Sequence, residues 1–150
     1  SGSFIYKTRT ITTPFTGELT LLDANPSIDI SFVPIGDTYI FQKVSDLKTK
    51  IVDSRLSSSD WKLYAYINNP LTSSLGYTLE NALVFKKFDD ETIILTSTPT
   101  IVYTGKNNEG IVNFEDLNWS KEKGPLLDLT NDALVANEEY FATIYFYIEE

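Results

Sequence analysis

Hydrophobic and polar positions alternate along this chain in short runs, and turn residues interrupt them at intervals of about ten residues, the pattern of a sandwich or barrel rather than of βαβ units. The alternation predicts strands over Phe4–Thr12, Gly17–Asp23, Ile28–Phe32, Tyr39–Val44, Leu47–Asp53, Trp61–Ile67, Leu79–Lys87, Thr92–Thr98, Thr100–Tyr103, Ile111–Phe114, Leu126–Leu129 and Glu139–Glu149. Turn residues fill the gaps, as in Asn25-Pro26-Ser27, Asn68-Asn69-Pro70, Gly105 to Gly110 and Lys121 to Pro125. Thr130–Asn137 has room for one helical turn capped by Thr130 or Asn131. The predicted fold is all-β, an antiparallel β-sandwich or flattened barrel of about ten strands. Residues 4–150 are expected to form one domain, with Ser1-Gly2-Ser3 a cloning remnant and the whole a segment of a longer protein.

Two runs separate their faces cleanly, because successive side chains on a strand point to opposite sides. Trp61, Leu63, Ala65 and Ile67 share one face, and Lys62, Tyr64 and Tyr66 the other. In the last run Tyr140, Ala142, Ile144, Phe146 and Ile148 oppose Phe141, Thr143, Tyr145, Tyr147 and Glu149. The aliphatic faces should be core. The tyrosine faces are expected to be partly open or covered by a partner.

Composition narrows the chemistry. Without Cys or His there is no disulfide, no thiolate metal site and no imidazole base. A net charge of −9 opposes nucleic acid and anionic membrane surfaces. No apolar run approaches the roughly 18 to 20 residues that span a bilayer, and no signal peptide is recognisable. Acidic groups at Asp89-Asp90-Glu91, Glu138-Glu139 and Glu149-Glu150 read as solvated loops and chain ends before they read as calcium ligands or a glycosidase pair. No nucleophile accompanies Asp53 and Arg55, so no catalytic residue and no cofactor is predicted, with Ca²⁺ the one cation considered.

The order Ile51-Val52-Asp53-Ser54-Arg55, a short polar turn, then Trp61-Lys62-Leu63 resembles the first motif of the WxL family. Gly17 to Leu21 with Asp29 to Phe32 resembles the opening strands of such domains, and Leu79-Glu80-Asn81-Ala82-Leu83 a later Leu-x-x-Ala-x-Leu stretch. The second Trp-x-Leu, which follows a Tyr near the chain end, is replaced here by Phe146-Tyr147-Ile148 after Tyr140. The resemblance implies a non-enzymatic domain held non-covalently on the Gram-positive cell wall, outside the cell. Peptidoglycan or a cell-wall glycan would be its ligand, and another surface protein of the same system a further partner.

Each motif residue also has a structural reading. Trp61 and Leu63, two apart on a strand, belong to one apolar row, so core packing outranks ligand contact for them, and Asp53 and Arg55 are spaced for a local ion pair. The sharper binding candidates are Lys62, Tyr64, Tyr66, Phe141, Tyr145 and Tyr147, which would form an aromatic platform if the two strands share a sheet. Flat rings suit the C–H face of a pyranose. Trp119, set between Asn118 and Ser120, is either a strand anchor or an exposed contact and joins the candidates. Two other functions remain open: a protein-interaction domain assembling a surface complex, and a carbohydrate-binding module for plant or host polysaccharide.

Overall fold

Where β-branched and aromatic residues alternate with polar ones, the chain is extended. A computed structural model describes residues 4–12, 19–22, 27–55, 59–107, 113–130 and 139–150. Among these residues the fold is all-β, with no helix. The strands are β1 (Phe4–Thr12), β2 (Leu19–Leu22), β3 (Ser27–Pro34), β4 (Ile40–Lys43), β5 (Leu47–Asp53), β6 (Trp61–Ile67), β7 (Leu71–Ser73), β8 (Thr78–Leu79), β9 (Leu83–Lys86), β10 (Thr92–Ile94), β11 (Thr100–Gly105), β12 (Asn113–Trp119), β13 (Gly124–Asp128) and β14 (Tyr140–Glu149).

They form a β-sandwich of unequal layers. The long sheet runs β10-β9-β13-β4-β3-β1-β14-β6-β11, with β7 added to β14 and β8 to β7. The short sheet runs β12-β5-β2 and meets the long one where β2 approaches β1 and β14. Both β14 and β6 lie inside the long sheet: β14 pairs with β6 antiparallel, with Phe146 opposite Ala65 and Ile148 opposite Leu63.

One pairing departs from the antiparallel expectation. The first strand, β1, runs parallel to the last, β14, from Phe4 beside Tyr140 to Thr12 beside Ile148. Parallel neighbours need a long connection between them, and here almost the whole chain supplies it.

A single apolar core fills the space between the layers. Trp61, Leu63, Ala65 and Ile67 enter it from β6, Ile144, Phe146 and Ile148 from β14, Ile51 from β5 and Trp119 from β12. Phe85 sits edge-on to both Trp119, at 4.8 Å between ring centroids, and Phe146, at 6.2 Å. Each tryptophan is packed against a glycine. A Cβ placed on Gly105, which pairs with Trp61 across β11 and β6, would lie 1.9 Å from the indole Cζ2. One placed on Gly124, whose φ is +71°, would lie 3.0 Å from the Trp119 Cβ.

Element boundaries moved for local reasons. The run Leu79–Lys87 is cut into β8 and β9 by Asn81, which takes a left-handed φ of 59°. Thr92–Thr98 ends as a strand at Ile94, the run expected over Ile111–Phe114 is described from Asn113, with residues 111–112 outside the described ones, and continues to Trp119, and Leu126–Leu129 begins earlier, at Gly124. The short β7 was read as part of a connector. Of the helical turn expected over Thr130–Asn137, residues 131–137 lie outside the described ones, as do Gly17 and Asp23 at the ends of the second predicted strand.

Candidate functional site

The motif residues point inward. Trp61 and Leu63 are fully buried, and Tyr140, Phe146 and Ile148 nearly so. Because β6 and β14 are paired in register, the ends of the two motif segments, Leu63 and Ile148, lie side by side in the core. Their spacing therefore describes packing between two strands.

Asp53 and Arg55 are buried too, as an ion pair with two contacts, Nε to Oδ1 at 2.9 Å and Nη2 to Oδ2 at 3.0 Å. Arg55 also donates to the Ser59 carbonyl at 2.9 Å and to Glu150 Oε2 at 3.1 Å, which ties the turn before β6 to the end of the chain. Asn107 Nδ2 donates to Asp53 Oδ2 at 3.0 Å. Burial pushes the Asp53 carboxyl up, but the hydrogen bonds from Arg55 and Asn107 outweigh it and hold the group below its ordinary range. With every principal lone pair engaged inside the fold, this pair is a clamp between loops.

Trp119 is corrected as a candidate glycan contact. It is fully buried, its ring stacks on Phe88 at 3.9 Å, and Nε1 donates to Thr49 Oγ1 at 3.2 Å. Strand anchoring is its observed role.

The remaining candidates come together on the outward face. Register places Tyr145 opposite Tyr66, Tyr147 opposite Tyr64 and Glu149 opposite Lys62, and all six are partly exposed. Tyr64 and Tyr147 stack at 4.8 Å with planes 7° apart, Tyr66 and Tyr145 at 5.1 Å and 18°, and Tyr66 meets Tyr147 edge-on at 6.1 Å. Ile101 of β11 pairs with Tyr64 and extends this row.

That geometry alters the expected platform. Two coplanar rings cannot approach to such centroid distances, so the paired rings overlap face to face and cover part of each other's flat surface. Burial, then the neighbouring Glu149, raises the pKa of Tyr64 and Tyr147 above its ordinary value.

Along β14 the same face runs into an open groove of about 610 Å³. Phe141, Thr143 and Tyr145 form its floor, and Asn68, Asn69 and Thr72 stand along its side. Phe141 is 44% exposed. A second groove, of about 200 Å³, borders the same Asn68-Asn69-Pro70 turn and is lined further by Asn81, Thr96 and Ser97. The sequence presented that turn only as a connector. The available signal was its position, two carboxamides at the end of a tyrosine-bearing strand.

Lys43 was also missed. It is fully buried, and its Nζ donates to the carbonyls of Ser120 at 2.6 Å, Lys121 at 3.4 Å and Lys123. Burial pushes its pKa down to about 8 against the raising effect of Asp46. Its signal was parity, since Lys43 is two residues from buried Phe41 on one strand.

Of the acidic groups, Asp90 pairs with Lys123 and Glu91 with Lys87 at 3.0 Å. Among the described residues no group of three or more acidic side chains is arranged to hold a metal ion. Comparison with protein-family models and with curated proteins finds no match to this chain.

Proposed function

We propose that this domain is a non-catalytic attachment module that holds a surface protein on the Gram-positive cell wall by binding peptidoglycan or an associated glycan. The observation that carries the reading is the outward face of β14 and β6, where four tyrosines stand in one partly exposed array that continues into a groove lined by rings, carboxamides and hydroxyls. Such a lining combines apolar surface for a sugar's C–H groups with donors and acceptors for its hydroxyls. The motif order that resembles the WxL family points the same way.

A net charge of −9 gains nothing from the anionic polymers of such a wall, so binding rests on stacking and hydrogen bonds rather than on bulk attraction. The test is sedimentation with purified sacculi stripped of teichoic acid. The folded domain is expected to pellet at physiological salt, with and without EDTA. A folded domain that stays in the supernatant refutes the proposal, and loss of pelleting in EDTA alone would assign the attachment to a bridging cation.

A further inference from the structure

We infer that the groove along β14 is the saccharide site itself and that it takes an extended glycan chain rather than a chain end or a single sugar, an inference that rests on the glycan-binding reading above. The stacked tyrosine pairs have spent their facing ring surfaces on each other. Exposed ring surface remains where β14 enters the groove, at Phe141, which is 44% exposed, and Tyr145, partly exposed, lines the same groove.

Phe141 and Tyr145 are four residues apart on one strand, about 13 Å at the ordinary rise. A single pyranose cannot touch both rings, whereas a short run of linked sugars can, with Thr143 beneath its middle. The hydroxyl of Thr72 donates to the Pro70 carbonyl at 2.9 Å, and the Asn68 and Asn69 carboxamides line the groove together with the hydroxyls of Thr78 and Thr143. A carboxamide both donates and accepts, as recognition of sugar hydroxyls or an N-acetyl group requires.

Length is also written in the surroundings of the turn. Asn68, Asn69 and Pro70 border both grooves, so a chain that leaves the first over this turn reaches the second, where Asn81, Thr96 and Ser97 offer further polar partners.

The experiment is sacculus sedimentation of the intact domain and of Phe141→Ala, Asn69→Ala and Tyr39→Ala, the last an aromatic 67% exposed on a different strand margin, each variant first checked for an unchanged unfolding midpoint. Loss of one ring or one carboxamide contact should weaken binding about tenfold. Tyr39→Ala should bind as the parent does. Glycan strands freed of peptide by amidase should compete with the sacculi, and disaccharides from muramidase digestion should compete at least tenfold less well. If the parent pellets but Phe141→Ala and Asn69→Ala pellet equally, or if disaccharides compete as well as strands, the inference fails while wall attachment stands. If the folded parent does not pellet, both fall.

Discussion

Gly105→Ala adds one methyl group and should strongly destabilise the fold. The glycine does not have a left-handed φ, so alanine meets no backbone strain there, and β-propensity slightly favours it. All of the penalty is steric: the added Cβ would lie 1.9, 2.0 and 2.6 Å from Cζ2, Cε2 and Cη2 of Trp61. The indole is fully buried and in contact with Tyr103 at 5.7 Å between centroids, so it has no free direction in which to retreat. Overpacking of this kind costs about 3 kcal/mol, at the upper end of its usual range. Trp61→Phe removes the benzo atoms that clash and leaves a cavity, which costs about 2 kcal/mol. The double variant should then cost clearly less than the sum of the two, a coupling of at least about 1 kcal/mol. Urea unfolding, followed by the fluorescence of Trp119 so that the reporter survives, gives the three midpoints at unchanged slope. A Gly105→Ala protein within about 0.5 kcal/mol of the parent, or strict additivity in the pair, would refute the seating of Trp61 beneath Gly105.

Asp53 makes the fold acid-sensitive: its folded pKa lies below the ordinary 3.8, so the pair's stabilisation is complete above that value and is lost as pH falls through the folded one. Asp53→Asn should cost about 3 to 5 kcal/mol at neutral pH and flatten the acid limb of midpoint against pH, whereas a limb as steep as the parent's would assign it to other carboxylates. Lys43 acts at the other end, with a folded pKa of about 8 below its ordinary 10.5, so the unfolded chain binds more protons between those values and stability should rise with pH there, by at most about 3 kcal/mol. Urea midpoints from pH 7 to 10 should show that rise in the parent and lose it in Lys43→Met; a parent curve that is level or falling contradicts it. Gly124→Ala combines a positive φ with a Cβ contact of 3.0 Å to Trp119, and a loss of about 1 to 2 kcal/mol by the same assay is expected, with no change in midpoint as the contrary result.

What could be read from the chain was what local alternation records. The inward and outward faces of Trp61–Ile67 and Tyr140–Glu149 were legible because each strand has core on one side and a partly open surface on the other. β12 was only half legible, since it is an edge strand and carries exposed Asp116 and Asn118 between buried Leu117 and Trp119. The burial of Trp119 depends on Phe85 and Phe88, and nothing adjacent in sequence reports them. The parallel pairing of β1 with β14 joins the two ends of the chain, beyond any local window. The groove was hidden for a similar reason: its polar side comes from the β6–β7 turn and its aromatic floor from β14, which meet only once β7 pairs with β14.

That division bears on the resemblance to the WxL family. Phe146 and Ile148, which that resemblance would set in place of a Trp and a Leu, both face the core, where Phe146 meets Phe85 and Ile148 lies opposite Leu63. A smaller ring at position 146 therefore changes a packing contact between β14 and β9 in the core, and its effect is felt in stability. The residues of β14 that face the groove and the tyrosine array are Phe141, Thr143, Tyr145 and Tyr147, all of the opposite parity. Substitution at the named motif positions should alter the unfolding midpoint first and attachment only through it, whereas substitution at the interleaved positions should do the reverse. The core-facing positions that carry the resemblance and the proposed binding surface are thus two faces of one strand, held one side chain apart by the pleat.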